Sequence, residues 1–158
     1  MTNEDFSGLK IGILVDDGFE QAELAETRRA LDQAGAETRI VSPKDQWVRG
    51  WNSTEWGDEL RVDVTLDQAR PYDFDALIVP GGVPATEALR MQPDAVRLLA
   101  VGFVQAFLAA AKPVAVIAHG PWTVIEAGTE WVEQVVVVDG NLVSSRMIAL
   151  FGRARRQA

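Results

Sequence analysis

The residues with the most chemical potential in this chain stand around one turn. Val114-Ala115-Val116-Ile117 is an apolar run that continues through Ala118 into His119-Gly120-Pro121-Trp122. Thr123 to Ala127 then reads as a helix, with Pro121 suited to its first position, where a missing N–H costs nothing. A buried strand that turns sharply into a helix exposes one residue at its end. The free N–H groups of the helix point at the same spot. An α/β protein places a nucleophile or binds an anion there. Ala118 occupies the exposed position, and a methyl group does no chemistry. His119 beside it is the only histidine of the chain. Glu23 is the second residue of note. It lies on a helical stretch, Glu20 to Ala34, whose apolar sector on a 100° wheel holds Leu24, Thr27, Ala30, Leu31 and Ala34. Glu23 falls inside that sector, an unusual place for a carboxylate.

These residues need elements to carry them. Lys10 to Val15 reads as a buried strand closed by Asp16-Asp17-Gly18. The helix that follows stops at Gly35. Thr38 to Val41 is a second strand. Asp75 to Val79 is a third, running into Pro80-Gly81-Gly82. Thr86 to Arg90 is a short helix, Pro93 to Ala111 a long one, and Pro113 to Ala118 the fourth strand. This alternation predicts a doubly wound, mostly parallel sheet with right-handed crossovers. Ligands then sit at the carboxyl ends of the strands, here residues 16–20, 81–84 and 118–121. Residues 44 to 67 differ, holding Trp47, Trp51 and Trp56. They predict an antiparallel hairpin on the sheet edge, its tryptophans covering a core or a subunit interface. Glu130 to Val138 reads as a strand, Asp139-Gly140 as its turn, Asn141 to Ser145 as the return strand, and Met147 to Arg156 as a last helix.

Composition excludes several classes. The chain has 158 residues and 47% apolar content, enough for one domain over residues 1–158. Its net charge of −8 opposes binding to a phosphate backbone, so nucleic acid is not expected. The run Leu98 to Ala111 is broken by Gln105 and is too short to span a bilayer, so no membrane partner is expected. The polar start, Met1 to Gly8, lacks a signal-peptide core, which makes the cytoplasm the expected compartment. With no cysteine, there is no disulfide, thiolate metal site or thiol nucleophile. Asp16, Asp17 and Glu20 lack further ligands at metal spacing, so no metal is expected.

Five segments in order carry a resemblance. They are Asp17 to Leu24, Val79 to Gly82, Val116 to Trp122, Glu130 to Val132, and Val138 to Arg146. With the Trp-rich stretch Gly50 to Asp58, they resemble the PfpI family of the DJ-one superfamily over nearly the whole chain. The resemblance implies a flavodoxin-like three-layer sandwich and a cysteine-based site without metal or cofactor. The family's nucleophilic Cys falls on Ala118 and its neighbouring His on His119. The helix-one Glu that hydrogen-bonds the thiol falls on Glu23. Gly82 falls on the backbone oxyanion donor, and Glu87 on a Glu contributed by the next subunit. Gly81, Gly120 and Trp122 belong to the binding positions of the same motifs. Members are credited with peptidase, glyoxalase III and deglycase activities and with chaperone-like stress roles, acting on aldehydes, dicarbonyls, glycated groups or peptides as dimers or hexamers. A helix N-terminus lowers a thiol's pKa, and backbone amides stabilise the oxyanion that develops on attack.

The chain departs from the family in three places. Ala118 removes the nucleophile. Gly128 runs into Thr129-Glu130-Trp131 where the family has another strand and helix, roughly 20 residues by ordinary element lengths. The loop after Arg146 is clipped before Met147. Plain structural readings stand beside the functional ones. His119 fits a structural strand end. Glu23 fits a carboxylate at the positive end of a helix dipole. Gly81-Gly82 fits a tight turn, and Glu87 a solvated side chain. Two functions follow as expectations: a PfpI-type hydrolase or glyoxalase/deglycase disabled by Ala118, or a non-catalytic chaperone or binding module of the same fold. A flavodoxin-like nucleotide binder fits less well, because Asp16-Asp17 would repel phosphate and no G-x-G-x-x-G follows the first strand.

Overall fold

The computed structural model describes residues 6–52, 54–80, 94–117, 136–139 and 142–145. The chain enters through β1 (Lys10–Leu14), passes a two-residue strand β2 (Phe19–Glu20) and continues as α1 (Gln21–Gln33). There follow β3 (Glu37–Ser42), β4 (Trp47–Asn52), β5 (Glu55–Arg61) and β6 (Val64–Thr65). Next come a 3-10 turn at Pro71–Asp73 and β7 (Ala76–Val79). α2 (Asp94–Ala109), β8 (Val114–Ile117), β9 (Val136–Asp139) and β10 (Leu142–Ser145) complete the described elements. The expected helices Thr86 to Arg90, Thr123 to Ala127 and Met147 to Arg156 lie outside the described residues, as does the start of the strand expected from Glu130.

The main sheet has seven strands in the order β6-β3-β1-β7-β8-β10-β9. Every neighbouring pair is parallel except β9–β10, an antiparallel hairpin at one edge. Strand periodicity divides the core between the two faces. Ile11, Ile13, Ile40, Ala76, Ile78 and Ala115 pack with Leu24 and Leu31 of α1. Leu14, Val41, Leu77, Val79 and Val114 pack with Phe103, Val104 and Phe107 of α2. The result is the expected α/β sandwich, helix–sheet–helix. The order β3-β1-β7-β8-β10 is that of a flavodoxin-like fold.

Helix α1 follows its sequence closely. Leu24, Thr27 and Leu31 are buried. Ala30 is exposed and Ala34 only partly buried, so the apolar stripe is narrower than the wheel predicts. The helix ends in a Schellman pair: Gly35 N–H donates to Asp32 O at 3.0 Å and Ala36 N–H to Leu31 O at 3.0 Å. Gly35 has φ +93, a conformation that penalises a Cβ.

The region from 44 to 67 forms the expected hairpin and adds to it. β4 and β5 pair antiparallel, and β2 joins β4 in parallel, giving a separate three-stranded sheet in the order β2-β4-β5. The chain then crosses back, and β6 becomes an edge of the main sheet beside β3. Asp63 secures the crossing: its Oδ2 accepts the Ile40 N–H at 2.7 Å. The alternating stretch from Leu60 to Val64 is therefore shared between two sheets.

Candidate active site

The strand order fixes where a site can form. β1 has β3 on one side and β7 on the other, so the crossover from β1 to β3 and that from β7 to β8 leave in opposite directions and open a crevice at the carboxyl ends of β1 and β7. The register Val79↔Val116 brings the end of β8 level with that of β7. Three chain ends therefore meet on one edge of the sheet: Val15-Asp16 after β1, Pro80 after β7 and Ile117 closing β8. The chain leaves the first through Asp16 to Glu20 and starts α1 directly above, so the N-terminus of α1 stands over the same edge.

Glu23 sits in that first turn, the acidic residue at the positive end of the dipole. Its residue is partly exposed, yet its Oε2 is buried. Thr27, one turn on and itself buried, donates from Oγ1 to Glu23 O at 2.7 Å. The backbone of the Glu23 turn is thus held from within the helix, and one carboxylate oxygen is turned inward. Gly81, Gly82, Glu87, Ala118, His119, Gly120 and Trp122 lie outside the described residues. What is placed is their approach, since Pro80 is the buried residue before Gly81 and Ile117 is the residue before Ala118.

Asp16, Asp17 and Glu20 each have structural work. Asp16 is buried, and its Oδ1 accepts the Asp17 N–H at 2.7 Å. Asp17 Oδ1 accepts the Arg49 N–H at 2.9 Å, and its Oδ2 lies 3.2 Å from Lys44 Nζ. That hydrogen bond and the charge of Asp17 raise the Lys44 pKa above the ordinary lysine range. Glu20 pairs in the small sheet opposite Trp51. Among the described residues no three His, Cys, Asp or Glu side chains gather as metal ligands.

Sequence reasoning missed Gln21. Its Oε1 accepts the Asp58 N–H at 2.7 Å and its Nε2 donates to Asp58 Oδ2 at 3.2 Å. The Gln21 side chain lies against Gly50 and Gly57, and a Cβ on Gly57 would overlap Gln21 Oε1. The first residue of the helix that carries Glu23 is thereby clamped to the Trp-rich hairpin. A glutamine at a helix start carries no sequence signal for such a contact. The two glycines, Gly50 on β4 and Gly57 on the facing β5, are the nearest thing to one.

This doubly wound α/β scaffold, with its helix-borne glutamate above the strand ends, has known counterparts. The model of the DJ-1/PfpI family matches residues 9–129. A deglycase of Pyrococcus horikoshii is 35% identical over 162 aligned positions, covering 89% of this chain and 92% of that protein. The deglycase PfpI of Pyrococcus furiosus is 35% identical over 159 positions, covering 87% and 90%. The crystal structure of a cysteine-to-alanine mutant of a DJ-1 superfamily protein from Salmonella typhimurium superposes with TM-score 0.73 at 25% identity, covering 94% of this chain and 90% of that one. The chain belongs to the DJ-1/PfpI family.

The family match ends where Gly128 runs into Thr129 and Glu130. An alignment of 162 positions holding 89% of a 158-residue chain also opens gaps in this chain.

Proposed function

We propose that this protein is a deglycase-type member of the family in which Ala118 stands at the position of the nucleophile, so that covalent catalysis is lost while substrate binding is kept. The reading is carried by one observation: the residue that follows β8, at the head of the His-Gly-Pro turn, is an alanine within a matched stretch of a family whose relatives include proteins named deglycases. The proposed substrates are small aldehydes, dicarbonyls, or glycated groups on peptides. With a thiolate at position 118, its sulfur would add to the carbonyl carbon, forming a C–S bond as the C=O π pair moves onto oxygen. The Gly82 N–H would receive that oxyanion, and Glu23 would hold or return a proton at the adduct. His119 would stand beside the thiolate, and Glu87 would reach the site from a neighbouring subunit of a homo-oligomer, a dimer or hexamer. With alanine the addition step has no attacking atom, and such losses remove most of the rate while binding survives.

The test restores the atom. Ala118→Cys should yield a thiol that iodoacetamide alkylates at neutral pH and a protein that consumes methylglyoxal, with the parent chain inert in both assays. A restored thiol that stays unreactive and consumes no dicarbonyl would overturn this reading. It would favour the second one, a non-catalytic chaperone or binding module, which rests on the same alanine.

A further inference from the structure

The outer face of the β4–β5 hairpin carries a second concave feature. Cross-strand register puts Trp47 opposite Arg61, Arg49 opposite Glu59 and Trp51 opposite Trp56. Trp47 is 46% and Trp56 50% exposed. Both rings already have a cation of this chain near one face. Arg61 Cζ lies 6.0 Å from the Trp47 centroid, and Arg49 Cζ lies 6.0 Å from that of Trp56. A groove of about 350 Å³ is lined by the two indoles together with Asp17, Lys44, Asp45, Gln46, Arg49 and Glu59. That volume suits a single small ring. The wall is built rather than loose. The Asp17–Lys44 ion pair spans it, Asp17 also accepts the Arg49 N–H, and Gly18 N–H donates to Arg49 O at 2.8 Å.

The chemistry of the lining selects the ligand. Asp45 and Glu59 offer acceptors beside Asp17, whose oxygens already face Arg49 N–H and Lys44; Lys44 and Arg49 offer further donors, and Gln46 offers both. An anion would face three carboxylates. A cation would face Lys44 and Arg49, with Arg61 behind Trp47. An aliphatic ligand would strip water from charged groups without replacing their hydrogen bonds, a costly exchange. A neutral polyol avoids all three penalties. Its hydroxyls donate to the carboxylates and accept from the cations, and a flat face of C–H groups rests on an indole. We propose that the groove between Trp47 and Trp56 binds a neutral hexopyranose ring. This proposal stands apart from the fate of Ala118: of the residues at the strand ends only Asp17 lines the groove, where Lys44 and the Arg49 N–H hold its carboxylate.

The experiment uses the full chain and two neutral probes, methyl α-glucopyranoside and methyl α-mannopyranoside. Binding is followed by tryptophan fluorescence and by saturation-transfer NMR, with inorganic phosphate and guanidinium as charged comparators. The expected result is saturable binding of at least one pyranoside with a dissociation constant on the order of millimolar. Trp47→Ala and Trp56→Ala should each weaken it about tenfold or more, and Tyr72→Ala, an exposed aromatic on another element, should leave it unchanged. Glu59→Gln and Asp45→Asn keep both indoles and should weaken binding severalfold. They answer the question if a Trp variant misfolds. Absence of saturation by either pyranoside to about 100 mM would overturn the proposal. So would tighter binding of phosphate or guanidinium than of the sugar, or binding unchanged in the Trp variants.

Discussion

Lys112 shows how much one side chain can hold. It follows α2, and its Nζ donates to Phe74 O at 2.7 Å and to Pro71 O at 3.1 Å while lying 5.9 Å from the Phe107 ring centroid. One ammonium thus satisfies two carbonyls of the turn before β7 and ties that turn to the end of α2. Lys112→Met keeps the stem and removes the charge-assisted bonds. It should cost about 1.5–3 kcal/mol, read from the urea midpoint at constant m. Lys44 makes a smaller contribution with a definite pH signature. Its folded pKa is raised by Asp17, so the pair's stabilisation is fully present below the ordinary lysine pKa and is lost as pH rises through the raised value. Both side chains are partly exposed, which limits the effect to below about 1 kcal/mol. Lys44→Gln should therefore lower the melting temperature slightly at neutral pH, and the two chains should converge in strongly alkaline buffer.

At the scale of elements, the joints matter more than the spans. α2 ends in the same way as α1, with Ala111 N–H donating to Leu108 O and Lys112 N–H to Phe107 O. Here the left-handed residue is Ala111 at φ 57, where α1 uses Gly35. A Cβ in that conformation costs about 1–2 kcal/mol, partly offset by the entropy a glycine loses on folding. Ala111→Gly should stabilise the protein by about 0.5–1 kcal/mol, seen as a rise in melting temperature. The clamp between α1 and the hairpin gives a second prediction. Gly57→Ala drives a methyl into Gln21 Oε1 and should destabilise by about 1–3 kcal/mol. Adding Gln21→Ala opens the space. The double variant should recover part of the loss, and a double-mutant cycle in chemical denaturation measures the coupling.

For the whole molecule, the sheet divides the interior into two cores of different character. The α1 side is mainly aliphatic, whereas the α2 side gathers Phe74, Phe103 and Phe107 with centroids 5.1–6.3 Å apart. Phe107 is the most deeply buried of that trio. Phe107→Ala should cost about 3–5 kcal/mol and give broadened unfolding by near-UV dichroism. The proposed homo-oligomer is tested at this scale as well. Light scattering should return two or six times the protomer mass of 17.3 kDa. A single protomer mass would remove Glu87 from the site of any other copy.

The sequence alone determines whatever depends on near neighbours in the chain. The strands β1, β7 and β8 are legible as short apolar runs, because a strand covered on both faces has few polar positions, whereas β3 shows only Ile40-Val41 before Ser42-Pro43. Helix α1 was visible from its stripe and from Gly35, because helical contacts lie three or four residues apart. Bounds shifted by one or two residues, as frayed ends do. The motif around Ala118 and the sector holding Glu23 were legible for the same reason, each being a pattern within about ten residues. The tertiary structure decided what depends on distant partners. Phe19–Glu20 becomes a strand only because Gly50–Trp51 arrives beside it, and Gln21 becomes a clamp only because Gly57 leaves it room. Lys112 finds its carbonyls 38 and 41 residues away. The inward turn of Glu23 Oε2, and the groove that sets Asp17 and Lys44 against Trp47 and Trp56, likewise join segments that no local period connects. Loop closure and packing choose such partners from the whole fold, so they appear only once the chain has one.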